Sequence, residues 1–343
     1  MKCFAIDGKI INKNSKPYTI AEAGVNHNGK IEFAYNMITV ASNAGADAIK
    51  FQTFKADEFC NKDSELYEVF KQCEFSQDKW SSIKDKCEEM DITFLSTPQN
   101  YSDLEMLMKL GIHAIKVGSD DLTNTSMLAK FATTGLPIIL SCGMAYEAEI
   151  EKAVTAIRWT NDQYPLILMH CTSSYPAEPD EVNIKKLKRI GRDQDIITGY
   201  SDHTIGNTAS ILAVGYGAKV FETHFTLSNS LSGPDHAFSK NSQALTEWVE
   251  SIHEAHQMLG SSELIPTSEE IHMREIARRS LTALKDIKKG EIFTDENIGM
   301  RRPFGNGLLP GFINIFGSKS LNNIPAGEKL QGDDIGYAQN NNE

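Results

Sequence analysis

The sequence predicts a (β/α)8 barrel followed by a small β-rich domain. Over the first 260 residues, short β-branched runs alternate eight times with longer amphipathic ones. Near-continuous apolar strands between helical segments are the pattern of a parallel sheet covered by helices. Eight such units in one domain point to a closed barrel rather than an open sheet. From about Arg278 the texture changes to short, turn-rich runs. The 343 residues fit a barrel of about 250 plus a small domain.

The elements follow in order. "FAIDGKII" carries an Asp-Gly turn and predicts a hairpin within residues 1–17, outside the barrel. The barrel strands over 18–260 are "YTIAEAG", "AIKFQTF", "TFLSTP", "AIKVGS", "PIILSCG", "LILMHCTS", "DIITGYSDH" and "VFETHFT". Helical segments such as "IEFAYNMITVASNAG" and "TSMLAKFATTG" follow them, and "AGADAIK" and "GYGAKVF" place helix-end glycines before the next strand. The polar "LGSSELIPTSEE" marks a linker over 261–277. Residues 278–338 form the second domain, with tight turns at "KKGE" and "PAGE". The tail "YAQNNNE" is expected to fray.

Composition narrows the function. A net charge of −12 and a pI of about 5.3 argue against a general nucleic-acid footprint. An anionic small substrate would need locally placed cations against that background. No apolar run reaches the ~18 residues of a membrane-spanning helix, and the start lacks the features of a signal peptide. The six cysteines form no C-x-x-C pair and read as reduced thiols of a cytoplasmic protein.

A (β/α)8 barrel keeps its active site at the C-terminal ends of its strands. Here those ends carry Glu22, Lys50 and Gln52, Ser96 and Thr97, Lys116 and Ser119, then His170, Thr172 and Ser173, then Ser201, Asp202 and His203, and finally Glu222 and His224. Buried charge is costly unless paired or hydrated, so lysines and glutamates inside apolar strands need a reason, and a shared site supplies one. Alone, Lys50 or Lys116 could simply snorkel from the barrel top. Together they suit a phosphate or carboxylate, with Thr97, Ser119, Thr172 and Ser201 adding hydroxyl donors. A Schiff-base lysine is the main competing chemistry.

His203 and His224 end adjacent strands. Either alone would more simply satisfy local backbone. As a pair they suit a mid-series divalent cation in an open site that polarises a substrate oxygen. His27 and His170 are weaker candidates, and His113, His253, His256 and His272 read as surface or helix residues. Cys142 and Cys171 read as small core residues, since no base stands at a diagnostic spacing. Asp202 either orients a neighbour or caps the following helix.

These residues carry a resemblance. The stretches "IAEAGVNHNG", "AGADAIKFQTF", "FLSTP", "KVGS", "PIILSCGM", "HCTSSYP", "GYSDHTIG", "GAKVFETHFT" and "SGPDH" resemble the sialic acid synthases, makers of nine-carbon nonulosonic acids. "ARRSLTALKDIKKGEIFTDENI" and "RRPFGNG" resemble their antifreeze-like SAF (β-clip) domain. The resemblance implies condensation of phosphoenolpyruvate with an N-acyl hexosamine, typically N-acetylmannosamine, with release of phosphate. It implies a divalent ion, Mn2+ first with Mg2+ or Co2+ as alternatives, on His203 and His224. Phosphoenolpyruvate would be held by Lys50, Thr97, Lys116, Ser119, Ser173 and Ser201. The sugar would meet Glu22, Gln52, Asp121, Tyr175 and Asp235. Glu22 or Glu222 would handle the proton of the attacking water. Arg302 would reach the sugar from the SAF domain of a partner in a domain-swapped homodimer.

Three positions depart from the family's pattern. Gln99 stands where phenylalanine is usual, Asp121 where glutamate is common, and Thr223 where a basic residue is common. "NHNG" and "SGPDH" look more like the sialic and legionaminic branches than the pseudaminic one, and a 6-phosphorylated acceptor is a further alternative. The alternative from another class is a carbohydrate-binding protein, for which the histidine pair would have little use.

Overall fold

The computed structural model describes residues 3–159, 161–192, 196–308 and 315–336. It divides into a unit ending at Gly260 and a second beginning at Ser261. The tail expected to fray, 337–343, lies outside the described residues.

The first unit opens with the antiparallel hairpin β1 (Phe4–Ile6) and β2 (Lys9–Ile11). Asp7 and Gly8 both have positive φ at its turn, as a two-residue turn between twisted strands requires. Eight parallel strands follow: β3 (Tyr18–Gly24), β4 (Ala48–Thr53), β5 (Thr93–Pro98), β6 (Ile115–Val117), β7 (Ile138–Ser141), β8 (Leu166–Cys171), β9 (Ile197–Asp202) and β10 (Val220–His224). Their hydrogen-bonded order is β5-β4-β3-β10-β9-β8-β7-β6. β5 and β6, the two ends of that order, lie side by side and bring the ring almost to closure, with no ladder between them among the described residues.

Alternation along the strands sorts the core. Ile49, Phe51, Phe94, Leu140 and Phe221 face outward and pack with the helices in one large apolar cluster. Tyr18, Ile20, Ala48, Leu95, Ile139, Ile167, Met169, Ile197 and Val220 face inward and fill the lower barrel, joined by Ile6 and Ile11 of the hairpin. The hairpin therefore packs with the strand starts. Gly199 is required in this layer, since a Cβ there would lie 2.7 Å from Val220 O and 2.9 Å from Met169 Cγ. With apolar side chains occupying that end, the inward positions left at the strand C-termini are the polar ones.

The second unit has its own core of Leu281, Ala283, Ile287, Phe293, Ile298, Ile315, Ile324, Leu330 and Ile335. It is built on two antiparallel pairs, β11 (Ser280–Ala283) with β12 (Ile298–Arg301) and β13 (Lys319–Ser320) with β14 (Ile335–Gly336). The stretch expected to be a linker holds a helix, Ser268–Ala277, begun by a capping box between Thr267 and Glu270. Among the described residues no helix is long and apolar enough to cross a membrane.

Candidate active site

The inward positions of the strand ends meet in one cavity of about 450 Å³. Lys50 on β4 points in from beside Glu22 on β3, its residue partner in the ladder. Its Nζ lies 3.2 Å from Glu22 Oε2 and 3.2 Å from Glu222 Oε2. Lys116 Nζ lies 3.4 Å from Glu222 Oε1 and donates to Ser141 Oγ at 2.9 Å. Ser201 Oγ donates to the same Glu222 Oε1 at 2.9 Å. Glu222 thus sits between two ammonium groups and a hydroxyl, with all four side chains of the ion-pair network almost wholly buried.

The electrostatics separate the two carboxylates. Burial alone would raise Glu222, but Lys116, Lys50 and Ser201 outweigh it and hold it well below the usual carboxylate range. Burial raises Glu22 to about 7; Glu222 adds to this and Lys50 opposes it. Burial pulls Lys50 down, but its two carboxylate partners more than reverse that. Burial lowers Lys116, with Glu222 opposing and Lys50 assisting. Two ammonium groups facing one firmly ionised carboxylate leave room for an anion from solution.

His203 and His224 present their rings 5.6 Å apart. His203 Nδ1 lies 2.6 Å from Thr172 O, an acceptor, so Nδ1 carries the proton and Nε2 keeps a free lone pair. That Nε2 lies 3.3 Å from Ser201 Oγ. His224 is half-buried, its enclosed Nδ1 3.6 Å from Asp235 Oδ2 and without a hydrogen bond. Burial keeps both rings neutral, aided at His224 by neighbouring His203 and Lys50. Neutral imidazoles are what a cation needs, so this pair fits two positions of a metal site. Among the described residues no cluster of three or more His, Cys, Asp or Glu side chains could hold a metal ion. Any ion here would therefore keep positions open to water or substrate.

Other predicted residues converge on the same cavity. Gln52 Nε2 donates to Glu22 Oε1 at 3.3 Å. Thr97 Oγ1 is buried without a partner. Ser119 accepts from Gly143 N–H at 2.9 Å, and a Cβ at Gly143 would lie 2.8 Å from Ser119 Oγ and close upon Ser173 Oγ. Tyr175 packs its ring, tilted by 34°, 4.2 Å from that of His203, and Asp235 is raised to about 6 by burial. Asp121 does not line the cavity; it pairs with Asn124 at 3.3 Å, and its neighbour Asp120 lines the cavity instead. Arg302 lies in the second unit and is exposed. Thr223 faces outward and donates to Asp202 O at 3.1 Å. Asp202 itself accepts from Thr204 and Ser210 and so fixes the loop and helix after β9.

Two histidine candidates are structural. His27 is fully buried against Phe75, at 4.4 Å, with Phe51 and Trp80 nearby. His170 faces outward, its Nε2 2.7 Å from Val182 O. Sequence reasoning missed Ser141, Gly143 and Phe238, whose ring packs 5.5 Å from that of His224. Ser141 ends β7 two residues beyond Ile139, the ladder partner of Lys116 on β6, and strand parity was the signal available for it. A larger cavity of about 830 Å³ opens between helices Glu147–Arg158 and Lys186–Ile190, but its Lys186, Arg189 and Arg192 are exposed and Arg189 pairs with Glu147.

The sequence pattern of the NeuB family matches residues 37–264, and that of the SAF domain residues 278–336. The chain belongs to the NeuB family. This NeuB-family chain is 38% identical over 331 residues to an N,N'-diacetyllegionaminic acid synthase of Legionella pneumophila, covering 91% of this chain and 93% of that one. It is 30% identical over 331 residues to the human N-acetylneuraminate-9-phosphate synthase, with 92% and 91% covered. Among solved structures, an N-acetylneuraminic acid synthetase from Leptospira borgpetersenii in complex with citrate superposes with a TM-score of 0.75 at 33% identity, over 80% of this chain and 96% of that one.

Proposed function

We propose that this NeuB-family enzyme condenses phosphoenolpyruvate with N-acetylmannosamine or a related N-acyl hexosamine, forming a nine-carbon 3-deoxy-2-keto acid and phosphate. The observation that carries the reading is the interlocked set Lys50, Lys116, Glu22 and Glu222 beside the histidine pair. It supplies cations for a doubly anionic substrate, a proton carrier near neutrality and two neutral nitrogens for an ion.

In this reading Lys50 and Lys116 hold the phosphate and carboxylate, with Thr97, Ser119, Ser173 and Ser201 completing the hydrogen bonds. Gln52, Tyr175 and Asp235 orient the sugar. His203 and His224 would hold a divalent ion, Mn2+ first, which would supply Lewis-acid polarisation to the sugar aldehyde. The enol carbon of phosphoenolpyruvate attacks that aldehyde, so no side-chain nucleophile is needed. Water adds to the cationic carbon left behind. Glu22, raised to about 7, accepts its proton, while Glu222 stays ionised and opposes the developing positive charge. Loss of phosphate from the tetrahedral adduct gives the keto acid.

A domain-swapped homodimer in which Arg302 of one copy reaches the sugar of the other completes the reading, in a reducing cytoplasm that suits six free cysteines. The test is to incubate the enzyme with phosphoenolpyruvate and a panel of N-acyl hexosamines, measuring phosphate and product mass. Phosphate release matched by a product with the summed mass of the two substrates plus one water, less phosphoric acid, is expected. Release with none of the panel overturns the reading. A pyruvate adduct trapped on Lys116 by borohydride would instead favour a Schiff-base aldolase.

A further inference from the structure

Gln99 follows β5 at the cavity mouth, where its backbone N–H donates to Thr53 O at 3.0 Å. Its side chain is 8% exposed and lines the cavity, yet its Oε1 is enclosed with no hydrogen-bond partner. Thr97 Oγ1, two residues earlier, is in the same condition. A buried amide left unpaired is costly, and a fold tolerates it where a ligand completes it. Turning the amide over exchanges oxygen for NH2 but leaves a buried polar atom still seeking a partner.

The surroundings say what kind of partner fits. Phe59, Val69 and Phe70, from the segment between β4 and β5, line the same cavity. A group that offers an N–H and a carbonyl together with a small apolar end suits both the amide and that wall. An acylamino substituent is such a group. A hydroxyl could bond Gln99 but would leave the apolar wall uncovered. Position says which substituent. In the sheet order, β4 and β3 separate β5 from β10 and His224. An acceptor with its aldehyde at the histidine pair would therefore meet Gln99 with carbons far from the reacting one.

We infer that Gln99 is a specificity-determining residue that binds a second acylamino group on the distal part of the acceptor. This rests on the condensation proposed above and names its acceptor class: a 2,4-bis(acylamino)hexose rather than a singly acylated one.

The test uses full-length enzyme with Mn2+ and phosphoenolpyruvate, and sugars reduced to their alditols so that no aldehyde can react. Calorimetry compares 2,4-diacetamido-2,4,6-trideoxymannitol with N-acetylmannosaminitol. The wild type should bind the first about tenfold more tightly. Gln99→Met should abolish that preference, losing about ten- to hundredfold in affinity for the first alditol, while Gln99→Glu, which keeps an acceptor oxygen, retains most of it. In turnover, Gln99→Met should raise the sugar KM and leave that of phosphoenolpyruvate within about twofold, the pattern of lost uniform binding of one substrate. Equal wild-type affinity for the two alditols, or an unchanged preference in Gln99→Met, overturns the inference. If the preference holds but no phosphate is released with either parent sugar, the condensation fails and the role of Gln99 stands.

Discussion

His203 and His224 face each other across the boundary of β9 and β10, ring centroids 5.6 Å apart, and only His203 has a backbone acceptor fixing its tautomer. That asymmetry separates structure from chemistry in the first prediction. His203→Ala gives up the bond to Thr172 O, worth about 1 kcal/mol, and His224→Ala gives up no comparable bond. Both should fold, and both should lose at least about tenfold in phosphate release, the lower range seen when metal sites are disturbed. Excess chelator should silence the wild type and added Mn2+ restore it. Full activity in chelator, or wild-type turnover in either variant, would remove the ion from this site.

Glu22 and Glu222 should behave differently when each becomes glutamine. Glu22→Gln leaves the contacts of Glu222 with Lys50, Lys116 and Ser201 in place, so stability should change little. If Glu22 takes the proton of water, kcat should fall by about 10²–10⁴-fold. Glu222→Gln strips two buried ammonium groups of their shared carboxylate and should cost about 3–5 kcal/mol as well as activity. Denaturant unfolding alongside steady-state rates separates the two. Equal losses of stability would show that Glu22 is part of the same structural unit.

Arg302 tests the assembly. Its arginine fork suits the hydroxyls and carbonyl of a sugar. Arg302→Ala should raise the sugar KM several-fold more than that of phosphoenolpyruvate. In mixtures of Arg302→Ala with His203→Ala, exchange of subunits should regenerate active sites if the arginine comes from the other copy. Equal effects on both substrates, or no complementation, would count against a swapped contact.

The sequence carried the barrel because period-two strands and helical segments alternate without a break, and because the polar residues that line the cavity share the inward parity of their strands. Glu22, Lys50, Lys116, Ser201, Glu222 and His224 were readable for that reason. Less was readable where a contact depends on a loop. The "NHNG" and "SGPDH" motifs interlock, Asn28 Nδ2 donating to Ser232 O at 2.9 Å and His236 Nε2 lying 3.2 Å from Asn28 Oδ1, which neither stretch announces alone. Asp121 and Asp120 are adjacent in a loop without strand parity, so sequence could not say which faces the cavity. His27 looked like a candidate ligand because nothing in "NHNG" shows that its ring turns back into the aromatic core.

His27 yields a prediction about stability. Its ring is buried between aromatic side chains, with Nδ1 accepting from Gly29 N–H at 3.1 Å. Burial, assisted by Lys79, lowers its pKa to about 3 from an ordinary value of 6.5. The unfolded chain therefore binds a proton below about pH 6.5 that the folded chain refuses until about pH 3. Across that window the unfolded state holds more protons, so stability rises with pH and falls on acidification, by about 1.4 kcal/mol per pH unit. His27→Asn can still accept from the Gly29 N–H but does not titrate. It should be less stable than the wild type at pH 7.5, having lost ring packing, yet its stability should fall less between pH 6.5 and 5, by about 2 kcal/mol. The change in slope is the decisive quantity, since every other titrating group is common to the two proteins. Urea unfolding at closely spaced pH values measures it, and parallel pH profiles for the two proteins would mean that His27 accepts a proton within the fold.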